Sequence, residues 1–124
     1  SELFQTPTEI QEIVGSKYVA FVIGGSKPTK ITPIETMLRI VEKIAYPIVL
    51  IGGKEDHERG LQLISAVNNA STKHTFIYNA CGEYSFLKSA SILHGAAYVV
   101  SHDTGMMHIA IGLKKKVYAL WGPT

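Results

Sequence analysis

Five short apolar runs alternate along this chain with longer stretches in which apolar residues recur every three or four positions. The runs are continuous, without intervening polar positions, and this pattern is typical of parallel strands that are covered on both faces. We therefore predict five buried strands, at Tyr18–Ile23, Pro47–Ile51, His74–Ile77, Ala97–Ser101 and Lys116–Leu120.

The stretches between the runs carry helical patterns. Thr32-Pro33-Ile34-Glu35 has the spacing of a capping box with proline at the first helical position, so a helix is expected to begin there. Its predicted apolar face consists of Ile34, Met37, Leu38, Val41 and Ile44. Further helices are predicted at Thr6–Val14, Glu58–Asn69, Ser85–His94 and Gly105–Leu113.

For two of these helices, the spacing of apolar residues predicts which face is buried. The helix from Glu58 is expected to bury Leu61, Ile64 and Val67, or Leu63, and the helix from Ser85 is expected to bury Leu87, Ala90 and Leu93. A strand that alternates repeatedly with a helix requires right-handed crossovers. The sequence therefore predicts one α/β domain over residues 1–124, a Rossmann-like doubly wound parallel sheet with strand order 3-2-1-4-5.

Composition narrows the class of protein. An apolar fraction of 46% and a charged fraction of 18% indicate a globular domain, and no apolar run approaches the ~20 residues of a membrane span. A net charge of +2 is too small to indicate nucleic-acid binding, and Lys114-Lys115-Lys116 favours a solvated loop over a membrane contact. The single cysteine, Cys81, excludes an internal disulfide, so we expect a reducing, cytoplasmic setting.

The segment that follows the fourth predicted strand concentrates the most chemistry. It contains His102, Asp103, Thr104, Gly105 and His108. Ligands bind at the carboxyl ends of strands in open α/β sheets, and a helix N-terminus offers N–H donors to anions. An ordinary turn with Asp103 as helix cap is the structural alternative, but it leaves both histidines and the threonine without a role.

The loop after the first predicted strand, Gly24–Lys30, suits a phosphate or a pyrophosphate. Gly25 permits close approach of the backbone, Ser26 supplies a hydroxyl and Lys30 supplies a charge. A plain surface turn is an equal alternative. The loop lacks the spacing of a nucleotide P-loop and of the G-x-G-x-x-G dinucleotide fingerprint.

The loops after the second and third predicted strands add two candidates. Glu55, beside Asp56, could accept hydrogen bonds from a ribose diol or could only favour the N-terminus of the next helix. Tyr84 could pack against a nucleotide base or against the helix that begins at Ser85. Cys81 has no adjacent cation, so a reactive thiol is not expected.

Two other chemistries are disfavoured. A metal site at His102, Asp103 and His108 lacks a fourth ligand nearby in the sequence, so no metal is expected. A serine hydrolase would need a G-x-S-x-G elbow, which the chain does not contain. The four loops together favour a crevice for a nucleotide diphosphate.

Asp103-Thr104-Gly105 with His108, followed by Gly122-Pro123-Thr124, resembles the D-T-G-x-x-H … G-P-T signature of glycosyltransferase family 9, the heptosyltransferases of lipopolysaccharide core assembly. The resemblance extends from about Val19 to Thr124. It implies a GT-B enzyme of two Rossmann-like domains, of which this chain is the C-terminal, donor-binding domain and thus a piece of a longer protein. Met106-Met107 departs from the family pattern and leaves the sugar open.

The resemblance also implies roles for single residues. Gly25, Ser26 and Lys30 would meet the donor phosphates, and Glu55 or a neighbour would meet the ribose. Tyr84 would contact the adenine. The diphosphate and the sugar would be lined by Asp103, Thr104, Gly105 and His108. The catalytic base would lie in the N-terminal domain, so no catalytic residue and no cofactor are expected in this chain.

The partners that the resemblance implies are a nucleotide diphosphate sugar, with ADP-heptose as the expected donor, and a lipid-linked glycan acceptor reached through the other domain. Such an enzyme would be cytoplasmic and peripheral to the inner membrane. Three alternatives stay open: a nucleotide-sugar epimerase of similar fold, a glycosyltransferase of another family, and a non-catalytic flavodoxin-like binding module.

Overall fold

A computed structural model describes residues 6–24, 33–70, 76–101, 112 and 116–119. Its helices are α1 (Thr8–Val14), α2 (Ile34–Glu42), α3 (His57–Ala70) and α4 (Phe86–Gly95), and a short 3-10 turn (Lys54–Asp56) leads into α3. Its strands are β1 (Val19–Val22), β2 (Ile48–Ile51), β3 (Ile77–Asn79), β4 (Tyr98–Ser101) and β5 (Val117–Ala119).

The five strands form one parallel sheet in the order β3-β2-β1-β4-β5. β1 lies at the centre, where Phe21 is in register with Leu50 of β2 on one side and with Val100 of β4 on the other. The predicted fold class and the predicted strand order are both confirmed.

β1 divides the interior into two cores because successive side chains of a strand point to opposite faces. Ala20 and Val22 belong to the first core, whereas Val19, Phe21 and Ile23 belong to the second, and all five are buried. Continuous apolar runs are needed for such a two-sided arrangement.

Among the residues that the structure describes, two helices pack on each core. Ile10 and Val14 of α1 lie in the first core together with Ile92 and Leu93 of α4. The second core takes its helical side chains from α2 and α3, namely Met37, Val41, Leu63 and Val67. Helices therefore cover both faces of the sheet, as the doubly wound prediction requires.

The structure corrects several details. β3 runs over Ile77–Asn79 and so begins where the predicted strand ends, while His74 and Thr75 lie outside the described residues. The prediction followed the apolar residues, but Asn79 can end a buried strand because its side chain is hydrogen-bonded at both ends of the amide. Pro33 is the N-cap of α2 and not its first helical residue.

The predicted burial of two leucines is wrong. Leu61 is 45% exposed and Leu87 is 53% exposed. On α3 the buried residues are Gly60, Leu63 and Val67, so the predicted Val67 and the alternative Leu63 are confirmed, whereas Leu61 lies off the buried face. The apolar residues of these helices are numerous enough to suggest more than one inner face, and the sheet selects one.

Three tyrosines form a row along the second core. The rings of Tyr46 and Tyr98 meet edge to face at 6.5 Å between centroids, and those of Tyr98 and Tyr118 meet edge to face at 5.0 Å. Lys17 and Lys116 lie over the outer rings, with Nζ at 5.3 and 5.4 Å from the centroids of Tyr46 and Tyr118. The row connects Tyr46, in the segment that leads into β2, with Tyr98 of β4 and Tyr118 of β5.

Within the described ranges, the structure contains no helix with the length and apolar character needed to cross a membrane.

Candidate functional site

The carboxyl ends of the parallel strands meet at one edge of the sheet. From β1 the chain proceeds outward to β2 and β3 on one side, and later to β4 and β5 on the other. The strand order therefore reverses between β1 and β4, which is the position where open α/β sheets bind ligands. The described part of this edge comprises the ends of β1 and β4 and the loops after β2 and β3.

Asp56 is the buried acid of this edge. Its Oδ2 accepts a hydrogen bond from the Gly53 N–H at 2.9 Å, and the Asp56 N–H donates to the Gly53 carbonyl at 3.0 Å. The same carboxylate lies against Gly24, the last described residue after β1. Asp56 thus connects the ends of β1 and β2, and it also caps the turn that leads into α3.

Glu55, the predicted ribose contact, is exposed. Its carboxylate folds back over Gly53, where an added methyl group would lie 2.7 Å from both oxygens. The acid pair is therefore split, with Asp56 directed into the sheet edge and Glu55 directed towards solvent. Sequence reasoning could not separate the two, because adjacent acids in a turn differ only in the direction that the folded backbone gives them.

Polar contacts hold the loop after β2 to the loop after β3. The Gly82 N–H donates to the Gly52 carbonyl at 3.0 Å, and His57 Nδ1 lies 3.2 Å from the Cys81 carbonyl oxygen. Gly82 has a φ of +77°, and an added methyl group there would lie 2.9 Å from Lys54 Cα. Glycine is required both by the left-handed backbone and by the contact.

Cys81, in the loop after β3, is buried. Burial, with a smaller contribution from the nearby Asp56 carboxylate, raises the pKa of its thiol from 9.0 to about 12. The expectation of an unreactive thiol is confirmed, because the thiolate is the reactive form.

Tyr84 is half-buried against the first core. Burial is the main cause that raises the pKa of Tyr84, and a hydrogen bond with Tyr78 adds to it. The Tyr78 hydroxyl also donates to Glu83 Oε1 at 2.8 Å. These contacts hold Tyr84 against the first core and Tyr78, while its packing on the helix that begins at Ser85 and its contact with a nucleotide base stay predictions.

Most of the predicted site lies outside the described residues: Gly25, Ser26, Lys30, Asp103, Thr104, Gly105 and His108. The same holds for His102 and for the Gly122-Pro123-Thr124 motif. Of the predicted set, the structure places Glu55 and Tyr84, on neighbouring loops of the same edge. Asp56 is one of the neighbours of Glu55 that the prediction allowed for the ribose, whereas Asn79 was not selected.

No cluster of three or more potential metal ligands occurs among the residues that the structure describes. The segment from His102 to His108, where a metal was weighed and disfavoured, is outside them.

Comparisons with known proteins agree on one family. The sequence matches the model of glycosyltransferase family 9 (heptosyltransferase) over residues 2–124. Over 79 residues it is 32% identical to lipopolysaccharide heptosyltransferase 2 of Salmonella typhimurium and 30% identical to the protein of the same name from Escherichia coli K12. Each alignment covers 64% of this chain and 22% of the relative.

Solved structures give the same picture. ADP-heptose lps heptosyltransferase II of E. coli superposes with a TM-score of 0.76 at 25% identity, covering 88% of this chain and 34% of that one. E. coli heptosyltransferase WaaC with ADP-2-deoxy-2-fluoro heptose superposes with a TM-score of 0.68 at 25% identity, covering 95% of this chain and 35% of that one. The chain therefore spans about a third of these relatives.

Proposed function

Because this chain belongs to glycosyltransferase family 9, we propose that it forms the donor-binding part of an inverting glycosyltransferase of the heptosyltransferase type. The ligand is a nucleotide diphosphate sugar, with ADP-heptose as the first candidate. The match over residues 2–124 confirms the family that the D-T-G-x-x-H and G-P-T motifs resemble.

One observation carries the proposal: the strand order reverses between β1 and β4. The glycine-rich segment up to Lys30 follows β1 in the sequence, and the segment from His102 to His108 follows β4. These two segments thus leave the strands that flank the usual ligand position of such sheets. Similar E. coli enzymes were solved with ADP and with an ADP-heptose analogue, which favours an adenine nucleotide.

The chemistry expected of the diphosphate half follows from charge. Negative charge develops on the nucleoside diphosphate as its bond to the sugar breaks, and fixed donors directed at that charge lower the barrier. Lys30 supplies a charge-assisted hydrogen bond, worth about 1.5–3 kcal/mol. Thr104 and Gly105 supply N–H donors, while Asp103 and His108 orient the sugar.

The nucleoside half uses the loops after β2 and β3. We assign the ribose diol to Asp56 in preference to Glu55, because Asp56 is buried and lies against Gly24, where the segment towards Lys30 begins. Tyr84, on the neighbouring loop, is the candidate contact for the base.

The remaining functions belong to parts of such an enzyme that these residues do not cover. Inversion requires a general base on the acceptor side of the sugar. Since the chain spans 34% of the first solved relative, we assign that base and the site for a lipid-linked glycan of the lipopolysaccharide core to the rest of the protein. The proposed location is the cytoplasm, at the periphery of the inner membrane.

Calorimetric titration of the 124-residue chain with ADP, UDP, GDP and ADP-heptose tests the proposal. We expect ADP to bind most tightly among the three diphosphates. Lys30→Ala should weaken ADP binding by about tenfold, because 1.4 kcal/mol corresponds to one decade. The same variant should change adenosine binding much less, and Lys115→Ala should change neither.

Each alternative has its own outcome. A folded chain that binds none of the diphosphates at millimolar concentration excludes the donor-binding role and favours a non-catalytic module. Preference for UDP or GDP indicates a glycosyltransferase with another donor. Interconversion of sugar epimers by this chain, without an acceptor, identifies an epimerase.

A further inference from the structure

We infer that Asn79 is a positioning residue that ties the loop after β2 to the loop after β3 and thereby orders the nucleoside half of the crevice. The inference rests on the proposed function, because it assigns this half to Asp56 and Tyr84. Asn79 itself is not proposed to touch the ligand.

Both ends of the Asn79 amide are engaged, each with a different loop. Nδ2 donates to the carbonyl of His57 at 3.0 Å, and Oδ1 accepts from the Cys81 N–H at 3.1 Å. His57 is the first residue of α3 and directly follows Asp56, whereas Cys81 begins the segment that leads to Tyr84. One buried side chain therefore fixes the distance between the two loops.

The surroundings leave the amide little freedom. Gly60 of α3 packs so close that an added methyl group would lie 2.6 Å from both Oδ1 and Nδ2 of Asn79. Asn79 is only 9% exposed, so an unpaired polar atom there would be costly. The position accordingly requires a side chain that both donates and accepts within one short amide.

Other contacts reinforce the same connection. The Gly82 N–H bonds to the Gly52 carbonyl, and the His57 ring faces the Cys81 carbonyl from the exposed side. Among these contacts, the Asn79 side chain makes two hydrogen bonds, and it is itself buried. Removing it leaves the Gly82–Gly52 and His57–Cys81 contacts to hold the loops.

Loosening the two loops should weaken nucleoside binding, because binding must then remove their extra conformational freedom. Two loops that are already fixed lose little freedom when a nucleoside binds between them, whereas loosened loops must be ordered at that moment. Asn79→Asp keeps the size of the side chain but removes the donor to His57 and places a carboxylate against a carbonyl oxygen. We expect this variant to bind adenosine and ADP about tenfold more weakly and to bind inorganic pyrophosphate unchanged.

Tyr18→Phe is the matched control. The Tyr18 hydroxyl donates a buried hydrogen bond to the Ile92 carbonyl, and Tyr18 precedes β1, so it lies at the opposite edge of the sheet. Its loss should lower the free energy of unfolding by a similar amount and leave all three affinities unchanged. Equal weakening in both variants, or full adenosine affinity in Asn79→Asp, would overturn the inference.

Amide hydrogen exchange separates this inference from the proposed function, because it needs no ligand. Asn79→Asp should accelerate exchange at the Gly82 N–H, which spans the two loops, more than Tyr18→Phe does, whereas the Cys81 N–H keeps its acceptor. Unchanged exchange at Gly82 overturns the positioning role even if ADP binds. Faster exchange in a chain that binds no nucleotide contradicts both the donor site and the binding consequence. Asn79→Ser, which is too short to span both loops, replaces Asn79→Asp if the latter does not fold.

Discussion

The Asp56 carboxylate lies directly against Gly24, so the end of β1 contacts the first turn after β2 through this one side chain. A methyl group on Gly24 would also lie 2.7 Å from Gly52 Cα, which is backbone and cannot rotate away. The space beside Gly24 is therefore too small for any side chain larger than hydrogen.

Gly24→Ala should therefore lower the free energy of unfolding by about 1–3 kcal/mol, the usual cost of overpacking. Gly53→Ala is the control, because the group it meets is the movable carboxylate of exposed Glu55. The control should lose less than about 1 kcal/mol, mainly through a poorer helix cap. Urea denaturation measures both, and equal losses would show that the contact with Asp56 and Gly52 is easily relieved.

Gly60→Ala and Gly112→Ala should have opposite effects. Alanine is the better helix former by up to about 1 kcal/mol, and Gly112 has open space around it, so its replacement should be neutral or stabilising. At Gly60 the new methyl group meets the Asn79 amide, so we expect a net loss of about 1–3 kcal/mol. A stabilised Gly60→Ala variant would mean that Asn79 can give way.

Asp56→Asn should destabilise the protein by about 1 kcal/mol. The carboxylate caps the turn at Gly53 and precedes α3, where negative charge is favourable, and the amide removes the charge but not the size. Glu55→Gln, one residue earlier and exposed, should change stability by less than about 0.5 kcal/mol. If thermal denaturation ranks the two variants in the reverse order, the division of the acid pair described above is incorrect.

Cys81 should resist alkylation in the native protein. Its thiol is buried and its pKa is raised to about 12, so the reactive thiolate is scarce at pH 8. Because it is the single cysteine of the chain, the iodoacetamide reaction reports on this site alone. We expect slow reaction in buffer and fast reaction in denaturant. A native rate close to the denatured rate would contradict the burial.

The same thiol makes stability depend on alkaline pH. Its pKa is higher in the folded than in the unfolded chain, so the unfolded state loses its proton first as the pH rises. Stability should be complete below about pH 9 and should fall as the pH rises towards 12. Urea denaturation between pH 8 and 11 should show a flatter dependence for Cys81→Ala than for the wild-type chain, and parallel curves would refute this contribution.

The fold could be predicted because strands of a sheet that is buried on both faces have a recognisable sequence pattern. A strand such as β1 must be apolar at every position, and no other short element of a globular protein needs this so regularly. Right-handed crossovers then limit the possible strand orders, and the predicted Rossmann-like order 3-2-1-4-5 is one of those that they allow. β3 was placed too early because a polar residue that is satisfied by tertiary hydrogen bonds, as Asn79 is, looks like the start of a loop.

The site could be predicted less completely, and for a different reason. Residue type indicates which chemistry a loop offers, but not which of two adjacent side chains turns inward. Glu55 and Asp56 are alike in sequence, and the 3-10 turn alone directs Asp56 to Gly24. The assignments of Lys30 and Asp103 rest on motif and position, and they stay predictions until the titrations are done.

The row formed by Tyr46, Tyr98 and Tyr118 gives the molecule a spectroscopic marker. Edge-to-face rings held at fixed separations produce near-ultraviolet circular dichroism only while their packing is rigid. Because Tyr118 belongs to the edge strand β5 and Tyr98 to its neighbour β4, the part of the signal that is lost in Tyr118→Phe reports whether the last strand is docked. Loosening of that edge can therefore be followed optically, without a label and separately from loss of the helices.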